Sequence, residues 1–239
     1  MGDRRIEKAK ILMLGFILVL IVILGAYGIY EITSVSKPGE GYLQISKVAY
    51  CATDPNDASY SKNPPYFVGE KYYWWIQITV SADTNVSDAV VHDQLGRELM
   101  IEGVSFVPIE KPGPYNYTFE YGAYESGASV SVTDGTSVWT GYLDEAGVTF
   151  GDFVVYWTDE TLKSHFEWNI GSMDEGEAKD IYLTISTDTN PAGQQEFTSP
   201  GTYFLSSGAT VEGIVESTGK KTSAESNYLE IEVLEKTEQ

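Results

Sequence analysis

The fold class predicted from this sequence is an antiparallel β-sandwich preceded by one N-terminal transmembrane helix. Three observations predict it. The 239 residues include 17 Tyr, 5 Trp and 23 Gly, and Ala/Leu/Glu/Lys-rich blocks are missing beyond residue 35, a composition that suits strands over helices. Runs of alternating apolar and polar residues recur at roughly ten-residue spacing with turn residues between them. One uncharged run, Ile11 to Tyr30, is long enough to cross a bilayer as a helix.

The chain divides accordingly. Residues 1–10, MGDRRIEKAK, are a basic segment with four basic and two acidic groups. Residues 11–30 are read as a signal anchor, with the N-terminus in the cytoplasm by the positive-inside rule and the rest of the chain outside. A cleaved signal peptide is the competing reading, with Ala26, Tyr27 and Gly28 at its cleavage site. Residues 31–41, EITSVSKPGEG, form a linker whose Pro38 and glycines stop any helix leaving the membrane. Residues 42–239 form the external domain.

Within that domain YLQISKVAYC reads as a first strand and EKYYWWIQITV as the clearest one. Tyr72, Trp74, Ile76, Ile78 and Val80 share its core face. AVVHDQL follows as another strand. Towards the end, Ile181, Leu183 and Ile185 point inward, as do Val211 and Val215, and then Leu229, Ile231 and Val233. In HFEWNIGSMDEGEAKDIYLTIS, Phe166, Trp168 and Ile170 are expected inward. Gly171 and Gly176 are expected in tight turns around a solvated acidic tip. The middle, about 101–164, carries several strand-like runs but no repeat of the outer pattern. It reads as an insertion that extends one sheet or forms a side lobe.

These outer segments carry a resemblance. ISK closes the first strand at Lys47, and VGEKYYWWIQITV supplies a V-G-E turn and an aromatic strand. DAVVHDQLG places Asp93 and Leu95, WNIGSMDEGEAKDIYLTIS supplies a Trp strand and a G-E strand, and SSGATVEG follows. In this order they resemble domain of unknown function 11, a conserved-repeat family of archaeal and bacterial surface proteins. The resemblance covers Tyr42 to Leu99 and His165 to Val233, with Gly96 standing where the family carries Pro. It implies an Ig-like antiparallel β-sandwich with a large β-rich insertion, a scaffold or adhesion role, and no catalytic residues.

Charge narrows the partners. Beyond Lys10 there are 11 basic and 33 acidic residues, a surface that repels nucleic acid and anionic lipid. Cys51, the only cysteine, permits no intrachain disulfide and is expected as a small buried side chain. Both histidines, His92 and His165, lack a catalytic setting: His92 and Asp93 are strand neighbours, so their side chains point to opposite faces. No nucleophile elbow, zinc motif or phosphate loop is present, so no catalytic residue is assigned.

Three kinds of non-catalytic site remain. Asp54, Asp57, Asp83 and Asp88 lie in segments rich in hard oxygen ligands and are candidates for Ca²⁺. Asn85-Val-Ser and Asn116-Tyr-Thr are glycosylation sequons. Some Ig-like surface domains join a Lys on the first strand to an Asn on the last with help from a buried carboxylate. Lys47 and Asn227 occupy those ends here. The function expected is a non-catalytic, membrane-anchored extracellular surface protein that binds the membrane through 11–30 and meets envelope proteins or glycans. The alternative is a secreted filament subunit in which residues 29–42 add as a strand to a neighbour's sheet. An extracellular hydrolase is the third reading.

Overall fold

The structure, a computed structural model, describes residues 42–52, 65–97, 99–106, 115–124, 127–142, 144, 147–158, 163–187 and 197–236. The expected membrane helix at 11–30 lies outside the described residues. Among the described residues no helix is long and apolar enough to cross a membrane.

In chain order the strands are β1 (Leu43–Ala52), β2 (Tyr66–Phe67), β3 (Tyr73–Ala82), β4 (Val86–Gln94), β5 (Met100–Ser105), β6 (Tyr117–Tyr124), β7 (Gly127–Thr133) and β8 (Val138–Tyr142). They continue with β9 (Val148–Phe150), β10 (Phe153–Thr158), β11 (Lys163–Met173), β12 (Ala178–Ser186), β13 (Gly201–Ser206), β14 (Thr210–Val215), β15 (Lys220–Glu225) and β16 (Leu229–Leu234). One sheet has the order β1-β3-β12-β5-β6-β7-β8, a second β15-β14-β4-β11-β10-β9, and a third β13-β16-β2. Every pairing is antiparallel except β16 with β2.

Strand alternation builds the core. Tyr72, just before β3, and Trp74, Ile76, Ile78 and Val80 on it are all fully buried, as their shared phase predicts. Ile181, Leu183 and Ile185 of β12 join them, with Val91 of β4 and Phe166 and Trp168 of β11. Burying each such side chain contributes about 1.5–3 kcal/mol. Cys51 is buried in β1, as expected of it. Trp75, on the other face of β3, is half-buried between Tyr50 and Tyr182, each with ring centroids 5.2 Å away.

The middle segment does not stand apart as a lobe, nor does it extend one sheet alone. Strand β5 pairs with β12 in the interior of the first sheet, and β6, β7 and β8 continue that sheet outward. Strands β9 and β10 continue the second sheet through β11. Aromatic rings weld the two extensions: Phe150 lies 5.2 Å from both Tyr117 and Phe119, and Phe153 lies 5.6 Å from Tyr117. The core is therefore continuous from the outer strands into the middle ones.

A second difference concerns Gly171. It lies inside β11, not in the turn, with φ 73° at a register shift against β4. Only Gly176 (φ 78°) serves the hairpin, whose exposed tip is Asp174 and Glu175. The facing strand β4 is also irregular. Asp88 adopts φ 52°, an extra residue between the inward positions Val86 and Ala89.

Candidate functional site: a buried lysine, aspartate and asparagine

On β1 the inward positions are Leu43, Ile45 and Lys47, so strand alternation alone carries a lysine into the core. On β4 the inward positions past the irregularity are Ala89, Val91 and Asp93, and the same alternation carries a carboxylate inward. The two meet. Lys47 Nζ donates to Asp93 Oδ1 at 3.0 Å and Oδ2 at 3.2 Å, and both side chains are fully enclosed.

Other partners complete the node. Asp93 also accepts from the Ser206 hydroxyl, at 2.6 Å on Oδ1 and 2.8 Å on Oδ2, and from the Gln94 N–H at 2.8 Å. The Lys47 ammonium donates to Ser206 Oγ and to the Ser207 carbonyl oxygen as well. Burial pushes Lys47 below its ordinary value, and the charge and hydrogen bond of Asp93 pull it back only in part. Burial thus disfavours the charged ammonium relative to that of an exposed lysine.

Asn227 completes the set. Ser226 N–H donates to Ala209 O at 2.8 Å, and Leu229 pairs with Ser206. The register that pairs Ser226 with Ala209 and Leu229 with Ser206 brackets Asn227 alongside residues 207–208, and it is the Ser207 carbonyl that receives Lys47. Both polar atoms of the Asn227 carboxamide, Oδ1 and Nδ2, are buried and make no hydrogen bond. Gly208 suits this crossing, because a Cβ there would come within 3.0 Å of Ser226 O. An amine, a carboxylate and a hydroxyl from β1, β4 and β13 thus meet, and the β15–β16 connection that carries the Asn227 carboxamide pairs alongside the segment that follows β13.

Lys47 and Asn227 were singled out in the sequence by their places at the two ends of the domain. Asp93 and Ser206 were not assigned. A signal for Asp93 exists: Lys47 and Asp93 are opposite charges that each fall in phase with apolar core positions.

The remaining sequence-derived sites lie elsewhere. Asp83 is exposed and accepts from Gln44 Nε2 at 2.9 Å, and Asp88 is exposed on β4. Asp54 and Asp57 lie outside the described residues. Among the described residues no three His, Cys, Asp or Glu gather to hold a metal ion. Asn85 and Asn116 are both exposed; their Oδ1 atoms accept from Glu175 N–H at 2.9 Å and Phe106 N–H at 3.0 Å. Asp93 is buried and His92 is half-buried on the opposite face, with His92 Nδ1 3.4 Å from Glu167 Oε1. His165 stacks on Tyr156 at 4.8 Å.

No family model matches the chain. A stretch of 32 residues is 59% identical to an uncharacterized protein of Archaeoglobus fulgidus, covering 13% of this chain and 12% of that one. Among solved structures, the chain is similar to the full-length major pilin SpaD of Corynebacterium diphtheriae at 11% identity and a TM-score of 0.37. That overlap covers 79% of this chain and 35% of SpaD. It is also similar to BcpA, the major pilin subunit of Bacillus cereus, at 13% identity and a TM-score of 0.32, over 80% of this chain and 39% of BcpA. The chain spans well under two thirds of the length of each of these proteins.

Proposed function

We propose that this chain is an extracellular structural module of a cell envelope, held at the membrane by residues 11–30 and performing no chemistry on outside substrates. The observation that carries the reading is where the chemistry-bearing residues sit. Lys47, Asp93 and Ser206 are enclosed in the sandwich and tie the first strand to the last sheet, a place with no room for a substrate. The acidic exterior keeps such modules soluble and apart. Asn85 and Asn116 present exposed acceptors for glycan, and the external faces meet envelope proteins or glycans.

The filament reading draws on a separate observation. Among the described strands, β1, β8, β9 and β15 each have a paired neighbour on one side only. Strand β8 is exposed at alternate residues, including Val138 and Tyr142, and has a hydrogen-bonded neighbour on one side only, the kind of edge to which a strand adds. Intact mass and N-terminal sequencing on protein from native membranes and from the medium separate the two. The anchored module predicts membrane-bound chain that retains Ile11 to Tyr30. A chain beginning near Ile29 in the medium or in polymer replaces it with the filament.

A further inference from the structure

We infer that Lys47 and Asn227 join in an intramolecular amide bond, formed by the folded chain itself with Asp93 as the proton carrier. The inference rests on the described sandwich and is independent of where the chain resides in the cell.

Three observations converge on it. Lys47 Nζ is wholly enclosed and touches only Asp93, Ser206 and Ser207 among the contacts described for it. The Asn227 carboxamide, on the segment whose neighbours Ser226 and Leu229 pair with Ala209 and Ser206, is buried with neither polar atom paired. A buried carboxylate lies in hydrogen-bond contact with the amine. As separate groups these three make a poor core. A buried ion pair rarely repays its desolvation, and an unpaired buried carboxamide is a further cost. The amide bond removes both faults, because it discharges the lysine and consumes the unpaired Nδ2.

The chemistry balances without any outside reagent. A proton passes from the Lys47 ammonium to Asp93, leaving a neutral amine and a neutral carboxylic acid. The Nζ lone pair attacks Asn227 Cγ, while Asp93 donates a hydrogen bond to Oδ1 as negative charge grows there. Asp93 then relays one Nζ proton to Nδ2. The Cγ–Nδ2 bond breaks and ammonia leaves, while the new Cγ–Nζ bond becomes a secondary amide. No electrons are gained or lost. Ser206, donating to both oxygens of Asp93, fixes the orientation of the acid. A groove lined by Leu95, Phe204, Ser207 and Tyr228 opens beside the Ser207 carbonyl and gives ammonia a way out.

The test is the mass of the full-length denatured chain, extracted in detergent and read against the N-terminus that sequencing finds. The folded protein is expected to be lighter than its sequence by one ammonia. A protease digest is expected to contain one branched peptide joining the Lys47 and Asn227 segments. Lys47→Arg and Asn227→Ala restore the full mass, and Asn227→Asp loses water in place of ammonia. Asp93→Asn keeps the side-chain shape and, with its strand circular dichroism retained, forms the bond about 10²-fold more slowly or not at all. Full sequence mass in folded wild-type protein overturns the inference. So does an ammonia loss that persists in Asn227→Ala, since it then arises elsewhere. Crosslinking at the wild-type rate in Asp93→Asn overturns the role given to Asp93.

Discussion

At the scale of single residues, the buried node sets the largest expected mutational effect. Asp93→Ala removes the partner of a fully enclosed lysine and the carboxylate to which the Ser206 hydroxyl and Gln94 N–H donate. Stability is expected to fall by about 3–5 kcal/mol, read as a lower denaturant midpoint. A loss under about 1 kcal/mol contradicts the buried pair. Cys51 offers a second reading at this scale. Burial pushes its thiol from 9.0 up to about 12, against a smaller opposite pull from the Tyr66 hydroxyl. In the unfolded chain the thiol ionises first. Its contribution is therefore complete below pH 9 and lost as the pH climbs through 12. Burial raises Tyr66 and Tyr72 too, so they act in the same direction. The thermal midpoint is expected to fall above pH 9, and less steeply in Cys51→Ala than in wild type. Equal slopes in the two proteins contradict this assignment.

At the scale of elements, the junction between β4 and β13 depends on one glycine. Gly96 N–H donates to Leu205 O at 3.0 Å, and a Cβ built at Gly96 would stand 2.0 Å from the Phe204 carbonyl oxygen. In this chain proline would both lose that hydrogen bond and meet the carbonyl. Gly96→Ala is expected to cost about 1–3 kcal/mol, and Gly96→Pro more. Thermal melts of the two variants check the order, and a Gly96→Pro protein as stable as wild type contradicts it. The same scale explains the misplacement of Gly171. A glycine followed by acidic residues reads as a turn in one dimension. Here the positive φ absorbs a shift in register against β4, and the strand runs on to Met173. No local property of Gly-Ser-Met separates a bulge from a turn, because the partner strand decides which one forms.

For the whole molecule, charge and layering dominate. With 33 acidic and 11 basic residues beyond Lys10, like charges crowd a single sandwich. Their repulsion is screened within about 10 Å at 0.1 M salt. Raising ionic strength from about 10 mM to about 150 mM is expected to lift the thermal midpoint by a few degrees; an unchanged or lower midpoint contradicts this. The middle segment belongs to this scale as well. Its strands look like a separate module in sequence because they lack the pattern of the outer ones. They join both large sheets, and the Tyr117 and Phe119 rings of β6 pack across the sandwich on Phe150 of β9, with Tyr117 also on Phe153 of β10.

The sequence by itself determined the strand character and the inward faces. A strand alternates with period two whatever its neighbours, so Tyr72 to Val80, Ile181 to Ile185 and Leu229 to Val233 could be read without a partner. It also marked Lys47 and Asn227 as the chemically notable ends of the domain. Tertiary structure alone decided that Lys47 meets Asp93, 46 residues away, and Ser206, 159 residues away. It alone buried the Asn227 carboxamide with neither polar atom paired. The physical reason is that strand order is a property of pairing between segments. Alternation states which way a side chain points, and only the packing of the sheets states what it finds there.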